Sequence, residues 1–501
     1  MHRPSLIETQ LATELAEARP DLVSGYPAEL PGARAAVLTR LWRALAHEPL
    51  PWVTRRVRGA HSLALWLADG RALHGPPADP YATDAYVTAV RLDGVSYDDP
   101  ARLMTDLGWP HSAGFAGELG HSAASLALSR ANRGLPPKEW PGRDWEWEQR
   151  VVDGHPFHPN CRSRPGLSAA EQLAYGPEHR PVVRLETVPV EAGDCLLTGD
   201  WPDELRDAGR LLIPVHPWQA AHVLKGAPGE PWRTGHPLLS LRTLALPDGK
   251  HVKTALSARL TSSVRDISTY SIGAAMTLSS FATDLASHTD GLLHITRTLG
   301  AATAGSPDLA AVLRESPEVY AGPGERVLPV AALATTALPE SPSWLDGFTR
   351  LALTVGLRLL DLGVALEAHG QNLLVVLSET GAPLRLVYRD LADIRLSPAR
   401  LARHGITPPE LTGRLVTDDE TTLRRKLFGS LIAGALAGTA GSGPALAAAL
   451  ETAVRDLPAT PDLRALLEGP LPAKALTLMR LSPEVPGDQW AALPNPLAGT
   501  Q

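Results

Sequence analysis

A chain of 501 residues, 44% hydrophobic and 20% charged, is long and apolar enough for roughly two to four packed domains. Its net charge of −7 leaves no basic excess for a nucleic-acid backbone, so no nucleic-acid partner is expected. The two cysteines, Cys161 and Cys195, make neither a disulfide framework nor a zinc-ligand pattern, which fits a reduced, cytoplasmic setting.

The first ten residues have no apolar h-region, so no signal peptide is read there. Residues 1 to about 130 predict mainly helix, with helical spacing over 35–46 and 122–132 and one short strand pair. Alternation over 62–67 runs into an Asp69-Gly70 turn. The Pro- and Trp-rich stretch 135–147 reads as a linker or domain edge. Strand signals then dominate, at 182–190, 211–215, 240–246 and 251–260. A helix is predicted over 344–367, with Ser343 and Asp346 as a capping box and Phe348, Leu351, Val355, Leu359, Leu362 and Leu366 at helical spacing. A hairpin follows, 373–377 and 384–388, and then a helical C-terminal region. Residues 427–450 carry no charge and are long enough to span a bilayer. Gly441-Ser442-Gly443-Pro444 interrupts them, so two short buried helices are expected and no membrane partner.

Two hairpins concentrate polar residues. Asn372 lies nine residues before Gly381 and Asp390 nine after it, so an antiparallel hairpin turning there brings both to one open end. Glu367 and His369 enter at that end. Glu367, Asn372 and Asp390 then offer three oxygen ligands to a hard cation such as Mg2+. The bland alternative is a solvated turn beside a helix terminus. In the second hairpin, Ser240, Arg242 and Thr243 precede a Pro247-Asp248-Gly249 turn, and Lys253 sits on the return strand. The return strand alternates, so Lys253, Ala255, Ser257, Arg259 and Thr261 share one side, with Arg265 just beyond. Cations and hydroxyls on one small surface suit a polyphosphate, and an ordinary exposed sheet face is the alternative. Only six of the 47 cationic residues are Lys, so Lys253 is notable. Two further features are His155 and His158 in a Pro-stiffened loop followed by Arg162, and His216 between prolines, which reads as structural. No P-loop and no dinucleotide fingerprint occurs.

In this order the motifs resemble those of the NRPS-independent siderophore synthetases of the aerobactin-synthetase type. They are His-Pro-x-His-Pro (155–159), Pro-Val-His-Pro-Trp-Gln (214–219), Ser-x-Arg-Thr (240–243), Lys253 with Thr261 and Arg265, Glu-x-His-x-x-Asn (367–372) and Asp390. The resemblance implies an α+β fold shaped as a cupped hand: a helical thumb (1–133), mixed α/β fingers (134–340), and a palm with the antiparallel hairpin and helices (341–501). It implies an ATP-dependent ligase of siderophore biosynthesis and iron acquisition. Such an enzyme adenylates citrate, a citrate monoamide or a succinylated hydroxamate and condenses it with an amine, hydroxylamine or alcohol. His158, Ser240, Arg242, Thr243, Lys253 and Arg265 would hold ATP. Glu367, Asn372 and Asp390 would hold Mg2+. Thr261 and His369 would meet the carboxylic substrate. Arg162 stands where relatives usually carry Lys and would serve with them as a cation for phosphate or substrate, and Arg424 and Arg425 are candidates for a C-terminal Arg that binds the acid. A homodimer is expected. The alternatives are a kinase-like phosphotransferase and a non-catalytic ferric-siderophore-binding protein.

Overall fold

The computed structural model describes residues 5–134, 139–225, 229–261 and 263–498. Part of the 135–147 stretch, and Ser262, lie outside them. Helices Leu6–Ala18, Tyr26–His47, Pro100–Leu107 and Ser112–Ala131 close on one core that buries Leu38, Leu41, Leu45, Leu119 and Leu126 completely. Five antiparallel strands, and not two, form a meander beside them from Val53–Arg58 to Val95–Tyr97. The added strands are only three or four residues long, too short to show alternation in the sequence. The expected turn is present, with Gly70 at φ 90°.

The middle of the chain is built on a nine-stranded antiparallel sheet, with Lys250–Thr254 paired on one side to Thr243–Ala245 and on the other to Ala310–Glu315. The 251–260 run is two strands and not one. Lys250–Thr254 belongs to this sheet, while Leu256–Leu260 pairs with Ser263–Arg265 in a separate ribbon. The break falls at Ala255, whose N–H makes the last bond to the Ala310–Glu315 strand, at Ala310 O, 3.0 Å away. The single polar face is therefore lost: Lys253 is buried and Arg259 exposed. Residues 240–242 form a tight loop and not a strand.

The long helix spans Pro342–Leu362. Its N-cap is Ser341, ahead of Pro342 at the first helical position, and not the Ser343/Asp346 pair. It ends at Gly363, where φ is 107° and a Cβ would stand 2.8 Å from Arg400 Cβ, so Leu366 and Glu367 lie beyond the helix. Strands Leu373–Leu377 and Pro383–Tyr388 form the expected hairpin with Gly381 at its turn, inside a four-stranded sheet. The uncharged stretch forms two helical pieces bent by 117° at Gly441-Ser442, the first containing a nine-residue π-helix, Phe428–Leu436. Both bury their apolar side chains in the same core as Pro342–Leu362. Among the described residues no single helix is long and apolar enough to cross a membrane.

We keep the division at 133/134 and 340/341 as a proposal. Separate hydrophobic clusters in the N-terminal helices and the large sheet support it, while the largest cluster runs across residue 340, joining Phe157, Leu278 and Leu328 to the C-terminal region. The chain also ties them together, since Ala475, Leu478 and Leu481 pack into the N-terminal core.

Candidate active site

One cavity of about 1560 Å³ receives residues from every part of the fold. That exceeds the usual volume of a pocket for one small molecule, roughly 300–1,000 Å³. Among the described residues its lining holds thirteen arginines and three lysines against six carboxylates, in a chain whose net charge is −7. Such a wall focuses positive potential on whatever enters.

The first hairpin supplies the densest group of cations. Lys253 sits opposite Thr243, and Thr254 N–H donates to Arg242 O at 2.9 Å, so Arg242 and Lys253 lie side by side as the symmetry about the turn implies. Ser240 Oγ donates to Thr243 Oγ1 at 3.0 Å. Arg242 uses Nη1 on Arg265 O and Asp266 O, at 2.6 and 2.7 Å, while its Nε has no hydrogen-bond partner. Burial lowers Lys253 to about 7, partly opposed by Asp390, and lowers Arg242 to about 10. His158 is 5% exposed, lines the cavity, and has neither ring nitrogen hydrogen-bonded. Burial lowers it to about 3, so it is a neutral imidazole with one donor and one acceptor available. A buried polar ring without partners is costly unless a ligand satisfies it.

The second hairpin brings Glu367, His369, Asn372 and Asp390 to the same cavity. Arg389 N–H donates to Asn372 O at 3.0 Å, so Asp390 lies one residue past the pair. Asp390 Oδ2 accepts from Lys253 Nζ at 2.7 Å and lies 3.7 Å from Arg314 Nη2. Burial alone would raise its carboxyl, but Lys253 and Arg314 hold it well below the usual range. Glu367 Oε1 accepts from Lys426 at 3.2 Å and Lys474 at 3.0 Å, and these cations with His369 outweigh its burial. His369 Nδ1 accepts from Gln371 N–H at 3.3 Å, which leaves Nε2–H to donate. Among the described residues no three His, Cys, Asp or Glu side chains form a metal cage. The all-oxygen set fits a Mg2+ that takes much of its coordination from waters and substrate phosphates.

Backbone strain gathers here. Leu241, Thr261 and Asp390 line the cavity at φ 64°, 59° and 73°. A β-branched residue at positive φ is a true outlier, and such positions cost about 1–3 kcal/mol each. Thr261 is held there by its N–H on Ser163 O at 3.1 Å and its hydroxyl on Cys161 O at 3.2 Å.

Two expectations are corrected. Arg162 is 4% exposed, and its guanidinium is spent on Val151 O, Val152 O and Glu178 Oε2. It fastens the wall of the cavity, with each of its three nitrogens engaged by a protein group. Arg424 pairs with Asp462 at 2.7 Å and Glu420 at 2.9 Å, and Arg425 is exposed; neither lines the cavity. The C-terminal cations that do line it include Lys426, Lys474 and Arg480, and Arg314 joins them from the large sheet. Arg480 is oriented by Glu118, which also accepts from Asn160. Among the missed residues only Lys426 and Lys474 carried a sequence signal, the scarcity of Lys. His216 is structural as expected: its Nδ1 caps the next helix at Trp218 N–H, 3.1 Å away.

Residues 144–335 match the IucA / IucC family, and the resemblance to NRPS-independent siderophore synthetases is borne out. A second match, to a ferric iron reductase FhuF-like transporter, covers residues 342–442. Among curated relatives, the citryl-spermidine/3,4-dihydroxybenzoyl-citryl-spermidine:spermidine ligase of Bacillus anthracis is 24% identical over 315 residues, 50% of this chain and 51% of that protein. The rhizobactin siderophore biosynthesis protein RhbC of Rhizobium meliloti (strain 1021) is 28% identical over 314 residues, 48% and 53%. The chain thus spans about half the length of the curated relatives it matches. The petrobactin biosynthesis protein AsbB of Bacillus anthracis str. Sterne superposes with a TM-score of 0.77 at 18% identity, covering 98% of both chains. ATP-bound aerobactin synthetase IucA from a hypervirulent pathotype of Klebsiella pneumoniae gives 0.72 at 21%, covering 93% of this chain and 99% of that one. These likenesses establish the α+β fold.

Proposed function

We propose that this protein is an ATP-dependent ligase that adenylates a polycarboxylic acid and passes the acyl group to an amine, hydroxylamine or alcohol, in siderophore biosynthesis. The observation that carries this reading is the excess of cations lining one large cavity in an acidic protein. A triphosphate and a polycarboxylate are both anions, and bringing them together requires such screening. Names of relatives agree with it, as does the ATP-bound state of one structural neighbour.

In this reading Lys253, Arg242, Arg265 and Arg314 bind the phosphates, with Ser240 and Thr243 beside them. His158 satisfies its two ring nitrogens on the nucleotide. Thr261 and His369 Nε2–H orient the reacting carboxylate, and Lys474 and Arg480 take the other carboxylates of the acid. Mg2+, held by Asp390, Glu367 and Asn372, would supply charge against the phosphates. Asp390 and Glu367, paired here with Lys253 and with Lys426 and Lys474, would hold the ion, and Lys253 would be left to bind phosphate. A carboxylate oxygen attacks the α-phosphorus, and the bond to pyrophosphate breaks with its electrons leaving on pyrophosphate. The nucleophile then attacks the acyl carbon, loses a proton, and AMP departs. Holding three reactants in one cavity adds the proximity effect. The expected homodimer remains part of the proposal.

Acid-dependent exchange of labelled pyrophosphate into ATP tests the first half-reaction. Exchange that appears with a citrate-type acid and is absent without it supports adenylation. No exchange with citrate, citrate monoamides or succinylated hydroxamates counts against it.

A further inference from the structure

The short helix Asp144–Glu148, at the end of the stretch read as a linker or domain edge, touches three of the elements that carry the proposed phosphate and metal groups. Glu148 is completely buried. Its Oε2 accepts from Leu239 N–H at 2.6 Å, immediately before Ser240 and the strained Leu241. Its Oε1 lies 2.7 Å from Arg389 Nη1, immediately before Asp390. Arg389 also donates Nε and Nη2 to Gln371 O, at 3.1 and 2.8 Å, one residue before Asn372. At the other end of the helix, Asp144 Oδ2 lies 2.9 Å from His251 Nε2, two residues before Lys253 on the same strand. The helix is anchored in turn by Glu318, which accepts from Asp144 N–H and Arg143 Nε, both at 2.9 Å.

We infer that Glu148 is a positioning residue: one buried carboxylate fixes the phosphate-binding loop and the metal hairpin to each other and so sets where Asp390 and Asn372 stand relative to the nucleotide. This rests on the ligase reading above. Arg389 and Leu239 N–H approach from different parts of the chain, 150 residues apart in sequence (389 − 239 = 150), and meet on the two oxygens of one side chain. No backbone hydrogen bond between those two segments does the same among the described residues. The contact is indirect, since Glu148 does not line the cavity. A second-layer carboxylate of this kind is expected to act on metal affinity through the residue it orients.

The test is ATP binding by calorimetry across a Mg2+ series, without acid and so without turnover. Glu148→Gln keeps an acceptor for Leu239 and removes the charge from Arg389. It is expected to raise the Mg2+ concentration for half-maximal ATP binding about tenfold, the lower end for loss of such a partner. In an Asp390→Asn background the same substitution should shift it by well under tenfold, because only the route through Asn372 remains. A merely structural residue gives the same shift in both backgrounds, and that result overturns the inference. If Glu148→Gln does not fold, the paired Glu148→Gln/Arg389→Gln variant removes both buried charges and is expected to fold with the same tenfold shift. A wild-type Mg2+ dependence in either folded variant also overturns it. A wild-type chain that binds no ATP at any Mg2+ concentration sinks the ligase reading and this inference together, whereas wild-type binding with an unshifted variant sinks the inference alone.

Discussion

Lys253 and Arg162 are both buried cations, and their surroundings assign them opposite work. Lys253 faces Asp390 across the cavity, where a phosphate could take over the pairing. Lys253→Ala is expected to slow adenylation about a hundredfold, the scale for losing one transition-state charge contact, with little loss of fold. Steady-state pyrophosphate release measures it, and a loss below about threefold would remove Lys253 from the site. Arg162 makes its hydrogen bonds to two carbonyls and a carboxylate in a fork that an ammonium cannot reproduce. Arg162→Lys is therefore expected to cost about 2 kcal/mol or more of stability. Thermal melting should show that loss, and an unchanged melting temperature would return Arg162 to the list of ligand contacts. Lys253 and Asp390 were legible because hairpin register depends only on the turn. Arg162 misled because its partners, Val151, Val152 and Glu178, are fixed by the tertiary fold. Arg314 and Arg480 were invisible for the same reason.

Periodicity located the elements better than their ends. Apolar spacing marked Pro342–Leu362, but the pattern continued through Leu366 and hid the stop at Gly363. A Cβ at Gly363 meets Arg400 and Leu401 at 2.8 to 3.0 Å, and its φ of 107° disfavours any other residue. Gly363→Ala is expected to cost about 1–3 kcal/mol and to loosen the approach to Glu367, read as a lower melting temperature and a raised KM for ATP. Stability equal to wild type would mean the chain can reverse here without glycine. The 251–260 run failed differently. Its alternation is continuous, but the pairing with Ala310–Glu315 ends at Ala255, and Leu256–Leu260 takes Ser263–Arg265 as its partner instead. Nothing in the local pattern records that change of partner.

At the scale of the whole molecule, buried imidazoles make the fold sensitive to acid. Burial is the largest cause in each case, and it lowers His158 and His216 to about 3 and His47 and His179 to about 4. Folded values below the unfolded value mean that the unfolded chain binds more protons between about pH 6.5 and 4. Stability is therefore full above that window and falls as pH drops through it, by up to about 1.4 kcal/mol per unit for each imidazole. His216→Asn, which keeps an acceptor for Trp218 N–H, should lower stability at pH 8 yet make the fall in melting temperature between pH 6 and 4.5 shallower. An unchanged slope would mean His216 is protonated in the fold.

Both polar hairpins could be read from the sequence, whereas the meeting of cations from distant segments on one cavity required the folded chain. That convergence is the basis for the central claim, that the cavity activates a carboxylic acid at the α-phosphate of ATP. The most direct measurement is the nucleotide product formed with Mg2+, ATP and a panel of polycarboxylates, citrate first, with hydroxylamine present as a trap. The expected result is AMP, pyrophosphate and a hydroxamate, all three absent when the acid is omitted. Formation of ADP, or pyrophosphate that does not depend on the acid, would contradict the account.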